Sequence, residues 1–414
     1  MSSPAGEGGR SGAEPRGSNA RRFTFRGNLE GSRHGWLRLT PAYSVHLVRE
    51  LLDTLPRPEL PILDPFSGTG TTLLASAERG LDCDAVDVNP LLIWLARAKV
   101  AAYPARTLDA AEHAVAAMAR AARARRAPAP FTPPIHHIER WWDARTLGAL
   151  ARAHAARPPR PSGARDLALL AFCRALITTA QVSFGHQSMS FASHAARDDA
   201  SAPEDVAQAL LDAVRGLRAS AAPLPRSKRR VVLADSRALE PALEGRRYGA
   251  VITSPPYCNR MSYIRELRPY MYWLGYLEAR GDAGELDWRA IGGTWGAATS
   301  RLSTWKPPDG PALGALAGLT RRIAAESPLL ATYVARYFAD LAAHVGSVTR
   351  LVAPGATLAY VIGNSKFYDV VVPAEELLAQ LFEREGLADA RVEVLRKRSS
   401  KRELYEYLVT ARRP

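Results

Sequence analysis

The chain has 414 residues, 47% of them hydrophobic, which is enough apolar material for one large domain with an insertion or for two domains. No apolar run reaches the ~18 residues of a membrane helix, and the Gly/Ser/Pro/Arg-rich start has no apolar segment of the kind a secretory signal needs, so neither is expected. The formal charge of +14 favours a polyanionic partner, although an Ala/Arg-biased composition gives the same number.

Residues 1–25 are expected to form a disordered tail. In 40–55, Val45, Val48, Leu51, Leu52 and Leu55 follow helical spacing behind Thr40-Pro41, and Pro56, Pro58 and Pro61 end the helix. Ile62 and Leu63 close a short strand. A glycine-rich turn follows in DPFSGTGTT (64–72), and a helix runs from about Thr71 to Arg79, stopped by Gly80. CDAVDVNP (83–90) is a second strand ending at Asp87, and PLLIWLARAKV a second helix. This β-α-β-α order begins a doubly wound parallel sheet. Residues 105–227 interrupt it with an Ala/Arg-rich, mostly helical insertion that has proline hinges at 128–134 and 158–161. Alternation returns with strands in 229–239 and 248–257. Residues 262–340 read as helical and irregular. A helix over 330–351, a turn at APGA (353–356), the strand TLAYVIG (357–363), a helix over 373–385 and the strands ARVEVLR and YEYLVTA complete the chain. The expected fold is α/β: a Rossmann-like sheet with a terminal antiparallel hairpin and a helical insertion.

Gly68 and Gly70 let the backbone turn tightly and approach a ligand without a Cβ in the way. A phosphate-binding P-loop needs GxxxxGK[ST], and no lysine stands here; a dinucleotide fingerprint needs a third glycine. Asp87, at a strand end, is placed to accept hydrogen bonds from both hydroxyls of a ribose. Asp64 is placed to orient the loop or to meet a cationic amino-acid moiety. A ribose, an adenine and an ammonium group together describe S-adenosylmethionine.

DPFSGTGTT together with TSPPY (253–257) resembles the DNA methyltransferases that act on exocyclic amines. The resemblance covers roughly 36–104 and 228–414, taken as the catalytic domain, with 105–227 as a candidate DNA-recognition region. It implies that Asp64, Phe66, Gly68 and Gly70 form the cofactor loop, that Asp87 holds the ribose and that Asp235 lies near the adenine amine. It also implies that TPAYSVHLV closes over the methionine part. Ser-Pro-Pro-Tyr is most typical of the cytosine-N4 branch; the adenine-N6 branch usually has Asp or Asn first. The partners implied are double-stranded DNA and a cognate restriction endonuclease, in a restriction–modification system. An adenine-N6 enzyme, an RNA methyltransferase and a silent DNA-binding homologue are the alternatives.

The chemistry explains the motif. A cytosine amine is a poor nucleophile because its lone pair is delocalised into the ring. Acceptors for its hydrogens localise that pair, and the Ser254 hydroxyl and Pro255 carbonyl are such acceptors. Pro255 and Pro256 fix the backbone so that the carbonyl faces the pocket. Tyr257 offers a flat face to an extruded base.

Other features read as follows. Cys83, Cys173 and Cys258 form no CxxC, so reduced thiols in a cytoplasm are expected, with no metal site and no nucleophilic role for Cys258. HHIERWW (136–142) is expected to be an aromatic anchor for the insertion. Tyr270, Tyr272 and Trp273 are expected to pack in the core. Asn259, Arg260 and Tyr263 are candidates to contact the target strand, SFGHQSMSF (183–191) to contact DNA, and GNSK (363–366) to line the pocket. Arg120, Arg123, Arg125 and Arg126, with the second basic run Arg391, Arg396, Lys397, Arg398, Lys401 and Arg402, are either phosphate contacts or solvated faces.

Overall fold

A computed structural model of the chain describes residues 24, 27–28, 31–38, 43–54, 59–124, 131–183, 190–191, 202–259, 262–293, 297–307, 314–398 and 403–414. Apart from Thr24, the expected tail lies outside them.

The first half carries α1 (Val45–Thr54), β1 (Ile62–Asp64), α2 (Thr71–Glu78), β2 (Cys83–Asp87) and α3 (Pro90–Val100). The insertion supplies α4 (Ala105–Arg123), α5 (Ala144–Ala155), α6 (Gly163–Thr178), the short pair β3 (Val182–Ser183) and β4 (Ser190–Phe191), and α7 (Ala202–Ala219). Then follow β5 (Arg229–Leu233), β6 (Tyr248–Thr253), α8 (Tyr263–Trp273), α9 (Asp282–Arg289), α10 (Ala297–Leu302), α11 (Gly314–Ala324) and α12 (Pro328–Leu351). The chain closes with β7 (Val352–Gly363), β8 (Ser365–Phe367), β9 (Val370–Val372), α13 (Ala374–Arg384), β10 (Ala388–Lys397) and β11 (Tyr405–Arg412).

One sheet of seven strands runs β10-β11-β7-β6-β1-β2-β5. The strands β5, β2, β1, β6 and β7 pair in parallel, and β11 and β10 add antiparallel. This is a doubly wound, Rossmann-like α/β sheet with a terminal antiparallel hairpin. In such a sheet the ligand crevice lies outside the carboxyl ends of the parallel strands.

Local chemistry sets the helix starts. Asn89 caps α3, its Oδ1 accepting from Leu91 N–H (3.0 Å), with Pro90 in the first turn. Asp143 caps α5 through Arg145 and Thr146 N–H, and Ser262 caps α8 through Arg265 N–H.

Two differences from the sequence reading have physical reasons. Strand β7 begins at Val352 and runs through APGA instead of after it. Tyr248 pairs with Val352 but Ala250 with Thr357, so the extra β7 residues bulge out of register, with Gly355 at φ 79°. The bulge is held by Gly355 N–H on the Arg413 carbonyl and Arg413 N–H on the Ala356 carbonyl, both 2.8 Å. The hairpin β8–β9 was not anticipated. It is too short to show strand periodicity, and Tyr368 makes its turn with a positive φ of 51°.

The insertion is helical, as its pattern predicts, and its described residues share a core with the rest of the chain. One apolar cluster runs from Leu91 and Leu95 of α3 through Val115, Met118, Leu170, Phe172 and Leu210 to Ile264, Tyr270 and Trp273 of α8. Trp142 is fully buried in it, donates Nε1–H to the Leu176 carbonyl (3.0 Å) and meets Trp273 edge to face. The aromatic anchor expected at HHIERWW therefore joins the insertion to the helix that follows TSPPY. Tyr270, Tyr272 and Trp273 are core residues, as expected.

Candidate active site

Strand β1 ends in Asp64, whose side chain is fully buried. Its Oδ1 accepts from Thr253 Oγ1–H (2.6 Å) and Phe66 N–H (3.3 Å). Thr253 is the last residue of β6, 189 positions away. One hydrogen bond thus ties the first residue of DPFSGTGTT to the first of TSPPY. Burial pushes the Asp64 carboxyl up to about 7, against the pull of these hydrogen bonds. Through Phe66 N–H the carboxylate is tied to the backbone of the loop that follows it.

The loop needs both glycines. Gly68 has φ 48°, and its N–H donates to Asp87 Oδ2 (2.9 Å). Among the described residues, a Cβ there would meet nothing nearer than the Phe66 carbonyl at 3.8 Å, so the glycine leaves the space over the loop open to them. Gly70 starts α2 at φ 76°, and a Cβ there would press on the Ala96 Cβ at 3.2 Å. Phe66 leans on His344, ring centroids 4.5 Å apart. The partly exposed Asp87 also accepts from Asn89 N–H (2.8 Å), and desolvation pushes its carboxyl up to about 6.

Beneath the loop lies a residue that the sequence did not single out. Lys99 Nζ, fully buried, donates to the carbonyls of Thr69 and His34, each at 2.9 Å. Burial pulls its ammonium down to about 7. In the sequence it is one lysine in an apolar helix, PLLIWLARAKV, with nothing to distinguish it from a solvated position. Ahead of the loop, Tyr43 of TPAYSVHLV hydrogen-bonds Thr72, which donates to the Ile252 carbonyl (3.1 Å). Residues 39–42 lie outside the described residues.

At the end of β6, Ser254 Oγ–H donates to the Val361 carbonyl of β7 (2.9 Å). Its proton is committed, so the oxygen presents lone pairs to whatever approaches. Pro255 is buried. The Pro256 carbonyl accepts from Tyr337 Oη–H (2.7 Å), so the acceptor to consider for an amine is that of Pro255. Tyr257 N–H donates to Tyr263 Oη (3.1 Å), and Tyr257 Oη–H donates to Glu406 Oε1 (2.7 Å). Its ring lies against Gly363, where a Cβ would come within 2.9 Å of Cδ2 and Cε2. That contact gives GNSK its place beside the motif. Tyr263 serves the motif backbone.

Asp235, two residues past β5, is engaged from within the chain. Arg237 Nε and Nη2 donate to it at 3.0 and 2.6 Å, and Arg237 also donates to Asp340 (2.9 Å) and the Arg289 carbonyl (3.0 Å). Only its remaining lone pairs are left for a ligand.

Other candidates fall elsewhere. Cys258 is fully buried, and burial pushes its thiol up, away from the thiolate a nucleophile needs. Arg123 pairs with Glu204 on the surface (2.5 Å). Arg125, Arg126, Arg260, Lys401, Arg402 and residues 184–189 lie outside the described residues.

No family model matches the sequence. Over 69 residues the chain is 33% identical to the type II methyltransferase M.AvaI of Nostoc sp. and to that of Anabaena variabilis, a stretch covering 16% of this chain and 14% of each relative. Among solved structures it is similar to TrmN from Thermus thermophilus, with a TM-score of 0.33 and 12% identity over 94% of this chain and 53% of that one. It is also similar to the rRNA methyltransferase aviRa from Streptomyces viridochromogenes, with a TM-score of 0.30 and 15% identity over 94% of this chain and 96% of that one. The sequence match thus spans about a seventh of the length of the methyltransferases it was found in.

Proposed function

We propose that the chain is a site-specific DNA methyltransferase that transfers the methyl group of S-adenosylmethionine to the N4 amine of cytosine. The observation that carries this reading is the Asp64–Thr253 hydrogen bond, which sets the glycine loop beside Ser-Pro-Pro-Tyr at adjoining strand ends. The residues fit the cofactor: among the described residues the space over Gly68 is open, and the Asp87 carboxylate, held by Gly68 N–H, lies beside it.

When bound, the cofactor supplies an electrophilic methyl group on a sulfonium. The chain holds and orients. Asp87 takes the ribose hydroxyls, and the loop from Phe66 to Gly70 keeps the backbone close to the ligand. Ser254 Oγ, with its proton on Val361, accepts one amine hydrogen of the base, and the Pro255 carbonyl accepts the other. These contacts hold the lone pair toward the methyl group. Tyr257 carries the extruded base on its face. Positioning and fixed dipoles supply the rate, with no covalent bond to the protein. Double-stranded DNA is the proposed partner, with a cognate restriction endonuclease in a restriction–modification system.

The test is to incubate the full chain with labelled S-adenosylmethionine and DNA, digest to nucleosides and identify the labelled one by mass. N4-methyldeoxycytidine supports the reading. N6-methyldeoxyadenosine moves the target to adenine and leaves the site chemistry in place. An active preparation that labels only RNA, or a protein that binds DNA without transfer, overturns it.

A further inference from the structure

The terminal hairpin reaches Tyr257 through Glu406. In the sheet register Glu406 of β11 lies opposite Gly363 of β7 on one side and Arg396 of β10 on the other. Directly opposed residues of antiparallel strands point to the same face, so these three positions form one row across the sheet. Gly363 contributes no side chain, and the Tyr257 ring occupies the gap: a Cβ at Gly363 would stand 2.9 Å from two ring carbons. The phenol then reaches the next position in the row, donating to Glu406 Oε1 at 2.7 Å. The position after that secures the carboxylate: Arg396 Nε donates to Glu406 Oε2 (2.6 Å) and Nη2 to Oε1 (3.2 Å). Glu406 is 6% exposed, so this is a built contact and not a surface encounter. Arg398 adds its guanidinium 5.5 Å from the ring centroid and donates to the Asn364 carbonyl (3.1 Å).

We propose that Glu406 is a positioning residue for base methylation: held by Arg396, it fixes the plane of the Tyr257 ring on which the target base rests. The inference rests on the proposed function, because the ring matters only if a base is carried on it. A tyrosine free to rotate about χ1 and χ2 would present its face only part of the time. One pinned at the hydroxyl by a charge-assisted hydrogen bond is organised before the base arrives. Glu406 touches neither base nor cofactor and acts through Tyr257.

A double-mutant cycle on the full chain tests this. Methyl transfer is measured for the parent, Tyr257→Phe, Glu406→Ala, Glu406→Gln and Tyr257→Phe combined with Glu406→Ala, with kcat separated from KM for the nucleic acid. Tyr257→Phe keeps the ring and removes the pin. Each single loss of the contact should lower kcat by about 10- to 100-fold. Glu406→Ala in the Tyr257→Phe background should cost no more than about 2-fold further, because the contact it served is already gone. Glu406→Gln, which keeps an acceptor, should recover most of the rate. If Glu406→Ala does not fold, Glu406→Leu, which keeps the bulk and also removes the acceptor, takes its place in the cycle. Losses that multiply in the double variant overturn the inference, as does a Glu406→Gln enzyme no faster than Glu406→Ala. The parent separates the two levels of the argument. A parent active only on RNA overturns the DNA reading, and the cycle is then run on RNA; a parent that labels no nucleic acid overturns both.

Discussion

Arg123 on α4 and Arg396 on β10 each pair with a glutamate, and the surroundings of the two pairs differ. The Arg123–Glu204 pair joins two helices of the insertion in water, the side chains 37% and 59% exposed. The Arg396–Glu406 pair sits at 22% and 8%, with the Tyr257 phenol as a third member. In water the solvent replaces either partner at little cost. In the sheet the carboxylate has already given up most of its hydration, and removing the cation leaves it stranded. The difference teaches that a basic run is not one kind of thing. Part of the run 391–402 is committed to a carboxylate beside the motif, and Arg123 is committed to a solvated face.

Four variants break or sharpen that contrast, from the largest effect down. Ser254→Ala removes a half-buried hydroxyl at the end of β6 and, on the proposed function, should lower the methylation rate about 10²–10³-fold. Calorimetric binding of S-adenosylmethionine should stay as in the parent. A fully active Ser254→Ala enzyme would remove the role given to the motif. Arg396→Ala should lower unfolding stability by about 2–3 kcal/mol, toward the small end for a broken buried pair because the arginine is partly exposed. Urea titration reads this, and an unchanged midpoint would make the two arginine pairs alike.

The third variant concerns a charge buried without a carboxylate. In the unfolded chain Lys99 keeps its proton to about its ordinary 10.5, and in the fold burial lets it go near about 7. Between those values the unfolded state binds more protons, so the group makes stability rise with pH, by at most about 1.4 kcal/mol per unit. Below about 7 the penalty of the buried charge is fully present. Lys99→Met should therefore flatten the stability profile between pH 7 and 10 relative to the parent in melts across that range. Parallel profiles would show that the ammonium keeps its proton. The smallest effect belongs to Arg123→Ala: a melting temperature within error of the parent, and a change of at most about 0.9 in the log–log salt slope of DNA binding. A larger fall in stability would place Arg123 with Arg396.

How much of this the sequence carries depends on the range of the interaction. The loop from Asp64 to Thr72 was legible because its signals are local. Gly68 and Gly70 adopt the positive φ that their lack of a Cβ permits, and α2 stops before Gly80, at φ 69°. The closing hairpin was legible from its alternation. APGA was misread because a Pro-Gly pair signals a turn, whereas pairing to β6 and β11 carries the strand through it as a bulge. The ties that build the site were not legible. Asp64 meets Thr253, and Tyr257 meets Glu406, only because the strand order brings those ends together. Nothing near Glu406 in YEYLVTA distinguishes it from a solvated strand residue.

The shared core between the insertion and α8 has a consequence for anyone who would exchange parts of the molecule. Trp273, on the helix just past Ser-Pro-Pro-Tyr, is packed by Phe172 of α6 and Trp142 ahead of α5. A graft cut at the two ends of the helical region would sever that contact and leave half an aromatic cluster on each side. The helical region is therefore not a cassette. A working chimera has to carry α8 with it, so the recipient inherits the donor's support for the Ser-Pro-Pro-Tyr turn along with its surface.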